Sequence, residues 1–343
     1  MKRLIFCFLF FFFATNEIVG QIVSPFNGKV LVDTSENYSF IVSGHFHGSS
    51  SNTSTYPAAT LLANIDTLNK LHSSFIMSLG DMFIDFDSTY VDHYNTSLFR
   101  KLNMPLFNAV GNHDVSNGNG YEKLYGRSYY SFVLKNAKFL ILNTEVSDGS
   151  INGKQLDFLK DELKNTGEKN IFIFSHRPVW AENNEAYMSF FKGNTRTLIG
   201  SNNFDKEIRP LLKSLQKKNV YWISGSLGEG SASFFYSRET NIVFMQTAIR
   251  DRERDAALEV KVDHGAVSFS GISFTGQDLM PIEQYDVDYW KKNNTPDVPF
   301  SFRLIPHIIL QMFLHKDIWI GAFVTFLFMT LIRRLSDRWK KRK

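Results

Sequence analysis

Between residues 28 and 303 short apolar runs alternate with segments whose apolar residues recur at helical spacing. Apolar runs closed by glycine or polar residues predict buried strands at Ser39–Gly44, Phe75–Asp81, Pro105–Asn112, Asn170–His176 and Asn219–Gly225. The intervening stretches Ala59–Leu71, Ser88–Leu102, Gly153–Lys164 and Phe204–Lys217 carry the helical period. Ser128–Thr144 reads as a hairpin turning at Lys135-Asn136, and SASFFYS, NIVFMQTA, ALEVKV and AVSFSGI read as closing β runs. Strands separated by helices, then hairpins, predict an α/β (α+β) domain over residues 28–275. Two mixed β-sheets packed as a sandwich and flanked by helices are the expected architecture. No repeat at solenoid periods is present.

The two ends follow another pattern. Met1-Lys2-Arg3 precedes the apolar run Leu4–Ala14, a basic start and short apolar stretch that predict a signal peptide over residues 1–20. Near the other end, Leu304–Leu314 and Ile318–Ile332 are apolar, and Arg333, Arg334, Arg338, Lys340, Lys341, Arg342 and Lys343 follow. Residues 304–332 are therefore expected to form a membrane-associated segment with one C-terminal transmembrane helix, and residues 333–343 a basic cytoplasmic tail. Residues 276–303, rich in Asp, Asn, Pro and Lys, read as a linker. The expected localisation is a single-pass membrane protein whose N-terminal domain is extracytoplasmic, periplasmic or extracellular.

Composition changes this picture in two ways. The chain has 343 residues and a formal charge of +4, but residues 1–20 carry +1 and residues 333–343 carry +6. The body is therefore slightly acidic, so no nucleic-acid partner is expected; the basic tail beside an apolar run suits anionic lipid. The single cysteine, Cys7, lies in the signal segment, which excludes an intramolecular disulfide and a CxxC zinc site.

Residues able to do chemistry gather where the predicted strands end, as sites in α/β folds do. Gly44-His45-Phe46-His47-Gly48 follows the first strand, Gly80-Asp81 the second, Gly111-Asn112-His113-Asp114 the third and Ser175-His176 a later one. Imidazole and oxygen donors offered from successive loops suit a divalent transition metal.

With these motifs the chain resembles the calcineurin-like metallophosphoesterases, a family that includes the purple acid phosphatases and many phosphodiesterases. Its pattern runs Asp-x-His, Gly-Asp, Gly-Asn-His-Asp/Glu, a lone His, then Gly-His-x-His. The resemblance covers about residues 36–275. It implies one or two divalent ions (Zn, Mn or Fe), with Asp81 bridging, His47 on the first ion, and Asn112 and His176 on the second. It further implies that His113 protonates the leaving oxygen and that Asp114 orients it. Two cations ~3.5–4 Å apart activate water and clamp a phosphate ester for in-line attack. Arg177 reads as a solvated loop residue, or else as a phosphate contact.

The pattern breaks at both ends. His45 stands where the family has its first Asp, and is counted here as a ligand; Ser226 and Gly228 stand where the two last histidines belong. Glu229 is a possible replacement carboxylate, though a solvated loop role is the simpler reading. Two functions follow. One is a membrane-anchored, extracytoplasmic, metal-dependent hydrolase of phosphate mono- or diesters. The other is a catalytically degenerate metallophosphoesterase fold kept as a binding or assembly module in a cell-envelope or polysaccharide pathway.

Overall fold

The computed structural model describes residues 21–32, 35–146, 148–188, 190, 202–228, 230–293 and 316–340. Among the described residues eleven strands form two sheets. The first sheet holds β1 (Asn37–Ser43), β2 (Ile76–Ser78), β3 (Leu106–Asn108), β10 (Ala256–Asp263) and β11 (Ala266–Ser273), in the order β11-β10-β1-β2-β3. The second holds β4 (Tyr130–Leu134), β5 (Ala137–Ile141), β6 (Asn170–Ser175), β7 (Asn219–Ser224), β8 (Phe234–Glu239) and β9 (Ile242–Thr247), in the order β4-β5-β6-β7-β9-β8. Both are mixed: β1, β2 and β3 are parallel and β10 is antiparallel to β1, while β5, β6, β7 and β9 are parallel with antiparallel edges. The predicted α/β class with two mixed sheets holds.

Alternation along β1 explains how the sheets meet. Phe40 and Val42 point into the core shared with the second sheet, where the Phe40 ring lies 5.4 Å from Phe139 and 5.1 Å from Phe172, edge to face. Ile41 points the other way, into a second core with Leu61, Leu68, Tyr94 and Phe99 from the helices that follow β1 and β2. The central strands β6 and β7 are buried on both faces, which is why they read as unbroken apolar runs. Phe40→Ala removes a fully buried ring from the middle of the sandwich and is expected to cost about 3–5 kcal/mol, read as a lower urea midpoint at unchanged slope.

The predicted helix Ala59–Leu71 is two short ones, Ala59–Ala63 and Ile65–Lys70. Asn64 divides them, its side-chain amide donating to Thr60 O and Phe274 O instead of facing solvent. The linker expected over 276–303 is folded across its described part. Tyr236 N donates to Tyr285 O, and Trp290, fully buried, donates its indole N–H to Phe234 O while its ring lies against Gly230. The domain therefore runs to about residue 293, because the second sheet's outer face needs that tryptophan to close it.

Residues 316–340 form a helix, Lys316–Lys340. Among the described residues no helix is long and apolar enough to cross a membrane. The expected transmembrane helix is therefore not found among them: the apolar run Ile318–Ile332 follows Lys316-Asp317 directly and ends at Arg333-Arg334. The signal peptide over residues 1–20, the upstream apolar piece Leu304–Leu314 and Glu229 lie outside the described residues.

Candidate metal centre

Strand ends build the site. The His-x-His turn after β1 is fastened to the loop after β2: His45 N donates to Gly80 O at 3.0 Å and His47 N to Asp81 O at 3.3 Å. His45 and Asp81 both adopt the left-handed region, with φ of 57° and 53°. Such backbone costs roughly 1–3 kcal/mol per residue and persists where the surroundings impose it. Glycine is required at two positions because the loops after β2 and β3 nearly touch. A Cβ on Gly80 would lie 2.5 Å from Gly111 N, and one on Gly111 would lie 2.2 Å from Asp81 Oδ1.

At the centre, three imidazoles converge on one carboxylate oxygen. His45 Nε2 and His176 Nε2 each lie 3.3 Å from Asp81 Oδ2, and His47 Nε2 lies 3.7 Å from it. The other oxygen, Oδ1, accepts from His113 N at 3.1 Å. One carboxylate oxygen does not satisfy three imidazoles: the buried nitrogens His47 Nε2 and His176 Nε2 have no hydrogen-bond partner among the described residues. A tetrahedral ion with ligands at ~2.1 Å spaces them about 3.4 Å apart, close to the separations found here. His45, Asp81 and His176, and likewise His47, Asp81 and His113, each offer ligand atoms within 4.8 Å of one another. The donor set therefore fits a divalent ion held by imidazole and carboxylate. The second group takes in His113, expected as the acid and not as a ligand, while Asn112, expected beside His176, is half-buried on the same turn.

The ring nitrogens turned away from the centre differ in how they are held. His176 Nδ1 bonds to Leu79 O at 2.8 Å, and His113 Nδ1 to Ile84 O at 2.7 Å. Each carbonyl fixes its ring and leaves Nε2 for other work, as outer-shell partners of metal-ligating histidines do. Here the expectation for Asp114 is corrected. It does not orient His113. Its Oδ1 accepts from Met82 N and Phe83 N and its Oδ2 from Asn108 Nδ2 and Gly111 N, so it clamps the loops after β2 and β3 together. Burial, with the charge of Asp81 adding, pushes its carboxyl up to about 6 despite those donors.

Burial also holds His45 well below the usual imidazole range and brings His47 down to about 4, against the pull of Asp81. Burial lowers His176 too, but attraction to Asp81 overrides it and lifts the ring to about 9. Asp81 itself, opposed by burial, is held well below its usual value by the same partners. These shifts act on stability with opposite signs. An unfolded imidazole titrates near 6.5. As pH falls from there to 4 the unfolded state gains the proton that folded His47 refuses, so about 3 kcal/mol is lost. The contribution of His176 is complete below pH 6.5 and is lost, by about the same amount, as pH rises through 9. The metal-free protein is expected to be most stable near pH 6.5, as urea titrations from pH 4 to 9 would show.

The reading of Arg177 as a solvated residue is also corrected. It is 3% exposed, and its Nε and Nη2 grip Glu182 at 2.6 and 2.9 Å. The loop 148–150 packs over it, since Cβ on Gly149 would lie 2.9 Å from the guanidinium carbon. Three residues near the site were not singled out by their sequence context. Asn108 ends β3 and holds Gly80 N, Asp114 and the Tyr121 hydroxyl; a lone polar residue inside the apolar run PLFNAV was its only signal. Glu145 follows the hairpin, and burial pushes its carboxyl up to about 7, with His176 opposing and Asp81 adding. Arg250 follows β9, hidden in the charged string Arg250-Asp251-Arg252-Glu253-Arg254. At the degenerate motif, Ser226 has φ of 55° and its buried hydroxyl has no partner among the described residues, while Gly228 O accepts from Arg254 Nη2.

Two mixed sheets carrying histidines and one aspartate at their strand ends are consistent with a metallophosphoesterase fold. Residues 56–205 match the family profile of the calcineurin-like phosphoesterases. The span includes Asp81, Asn112, His113, Asp114 and His176 and stops short of Ser226. No curated protein matches the chain. Among solved structures it is similar to a conserved Streptococcus pneumoniae TIGR4 protein described as a predicted phosphoesterase. Identity is 12%, with 69% of this chain and 90% of that chain covered and a TM-score of 0.32. A single mutant of Vps29 from Entamoeba histolytica is 10% identical, covering 68% and 98%, with a TM-score of 0.30. A cold-active protein-tyrosine phosphatase of a psychrophilic Shewanella species is 10% identical, covering 70% and 79%, also with a TM-score of 0.30. These low TM-scores leave the fold assignment resting on the sheets themselves.

Proposed function

We propose that this chain is a metal-dependent phosphoesterase anchored to a membrane, with its folded domain on the extracytoplasmic side. One observation carries the enzymatic part: three buried imidazole nitrogens surround a single Asp81 oxygen that cannot satisfy them. Burying such a cluster is costly without a ligand. His45, Asp81 and His176 would hold the ion, with His47 beside them. A divalent ion bound there supplies Lewis acidity, which activates water and neutralises phosphate charge. The residues do the rest. Asp81 fixes the His113 turn through its backbone N–H, the Ile84 carbonyl fixes the His113 ring, and Nε2 of that ring delivers a proton to the leaving oxygen. Two dications ~4 Å apart would repel by about 16 kcal/mol at an effective dielectric of ~20, four times the unit-charge figure. Asp81 is the one carboxylate in the two ligand groups, so the reading is of one tightly held ion.

The membrane part rests on the helix Lys316–Lys340. Phe323, Val324, Phe326, Leu327, Phe328 and Met329 are each at least half exposed, and at helical spacing they lie on all sides of it. Such a surface suits lipid, and the basic residues after it suit anionic headgroups on the cytoplasmic side. Ile318–Ile332 covers about 22 Å at ~1.5 Å per residue, so flanking residues share the seating.

The test uses the full-length chain. Metal content near one Zn, Mn or Fe per chain, with turnover of a generic phosphomonoester or phosphodiester, is the expected result. His113→Ala should keep the metal and lower turnover roughly a hundred-fold or more. Ser226 and Gly228 in place of histidines favour the second reading, a degenerate binding or assembly module. A folded chain that binds no metal and turns over neither ester establishes that reading instead. Flotation with anionic liposomes, lost on removing residues 304–343, tests the anchor.

A further inference from the structure

The loop after β9 brings a cation to the place where the last histidine motif is missing. Ala248 bridges to Gly44, and Ile249 N donates to Gly44 O at 3.2 Å, so Arg250 starts beside the His45 turn. Its side chain runs to the degenerate motif, where Nε and Nη2 donate to Leu227 O at 3.2 and 3.0 Å. That motif is itself pressed onto the centre: a Cβ on Gly225 would lie 2.3 Å from Leu79 O and 3.2 Å from His176 Nδ1. The two bonds to one carbonyl fix the plane of the guanidinium. Asp255 anchors the loop by accepting from Arg250 N at 2.9 Å. Arg250 is 8% exposed, and its charge joins burial in keeping His45 neutral, with a smaller effect on His47.

Resting on the phosphoesterase reading above, we propose that Arg250 is a phosphate-binding residue that does the work of the second cation, so that one divalent ion and one guanidinium together receive the phosphate oxygens. Arginine suits this because its planar fork matches phosphate geometry and its charge does not titrate. It also needs no further ligands, which answers the loss of both histidines at Ser226 and Gly228 with a single residue from the loop after β9. A guanidinium in that position adds its positive charge to a cluster with one carboxylate, which disfavours a second metal ion.

The experiment measures binding by calorimetry on full-length protein, with the divalent metal alone and then with inorganic phosphate on the metal-loaded form. Arg250→Ala is expected to keep at least one metal per chain and to weaken inorganic phosphate by ten- to a hundred-fold, the size of a lost charge-assisted hydrogen bond. Arg250→Lys should fall between the two, since charge is kept and the fork is lost. If Arg250→Ala does not fold, Arg250→Gln, which keeps a donor for Leu227 O without the charge, is read the same way. Unchanged phosphate affinity in a folded, metal-loaded Ala or Gln variant overturns the assignment and leaves the phosphoesterase reading standing. A wild-type chain that binds no metal overturns both.

Discussion

Asp81→Asn is expected to abolish metal binding at working concentrations and turnover with it, while leaving the sandwich folded. The substitution preserves shape and removes one charge, so it isolates what that charge does. Breaking a buried ionic contact by neutralising one partner costs about 3–5 kcal/mol, a roughly hundred- to few-thousand-fold loss of affinity. Asp81 Oδ2 faces all three imidazoles, so no neighbour replaces it. The same change should lower the His176 ring from its raised value, because attraction to Asp81 is what overrides its burial. Metal analysis by mass spectrometry and the pH dependence of unfolding read these two effects separately. An Asp81→Asn chain that keeps stoichiometric metal would remove Asp81 from the centre.

The legible parts of this site share a physical cause. Asp81, His113 and His176 sit directly after apolar runs that can only be buried strands, and a polar residue at such a point is placed by the strand itself. The hairpin turn at Lys135-Asn136 was legible for a similar reason, and Lys135 takes the left-handed backbone such a turn needs. What could not be read is tertiary. Asp114 adjoins His113 in sequence but bonds to Met82, Phe83, Asn108 and Gly111, because the loops after β2 and β3 are forced together. Arg177 looked solvent-facing in a polar string, yet Glu182 and loop 148–150 enclose it. Trp290 closes a core whose strand residue Phe234 lies far away in sequence, so a stretch with linker composition is folded. Arg250 was hidden by the charges around it. The pairing of Ala248 with Gly44 sets it beside the His45 turn.

Metal affinity is expected to rise about tenfold per pH unit from pH 6 to near 9 and then level off. The sign follows from which ligands carry a proton beforehand. His45 and His47 are already neutral in this range, the latter titrating at about 4, and Asp81 is already ionised. Among His45, His47, Asp81 and His176, only His176 enters this range protonated, its pKa lifted to about 9 by attraction to Asp81, and an ion can take its Nε2 only after that proton leaves. Binding near pH 7 should therefore release close to one proton per ion. Calorimetry in buffers of different ionisation enthalpy counts that proton, and a titration at pH 6, 7 and 8 gives a hundred-fold span in affinity. His176→Ala should bind more weakly and lose the slope together. A wild-type slope of zero would mean that His176 keeps its proton with the ion bound, and would take it out of the ligand set.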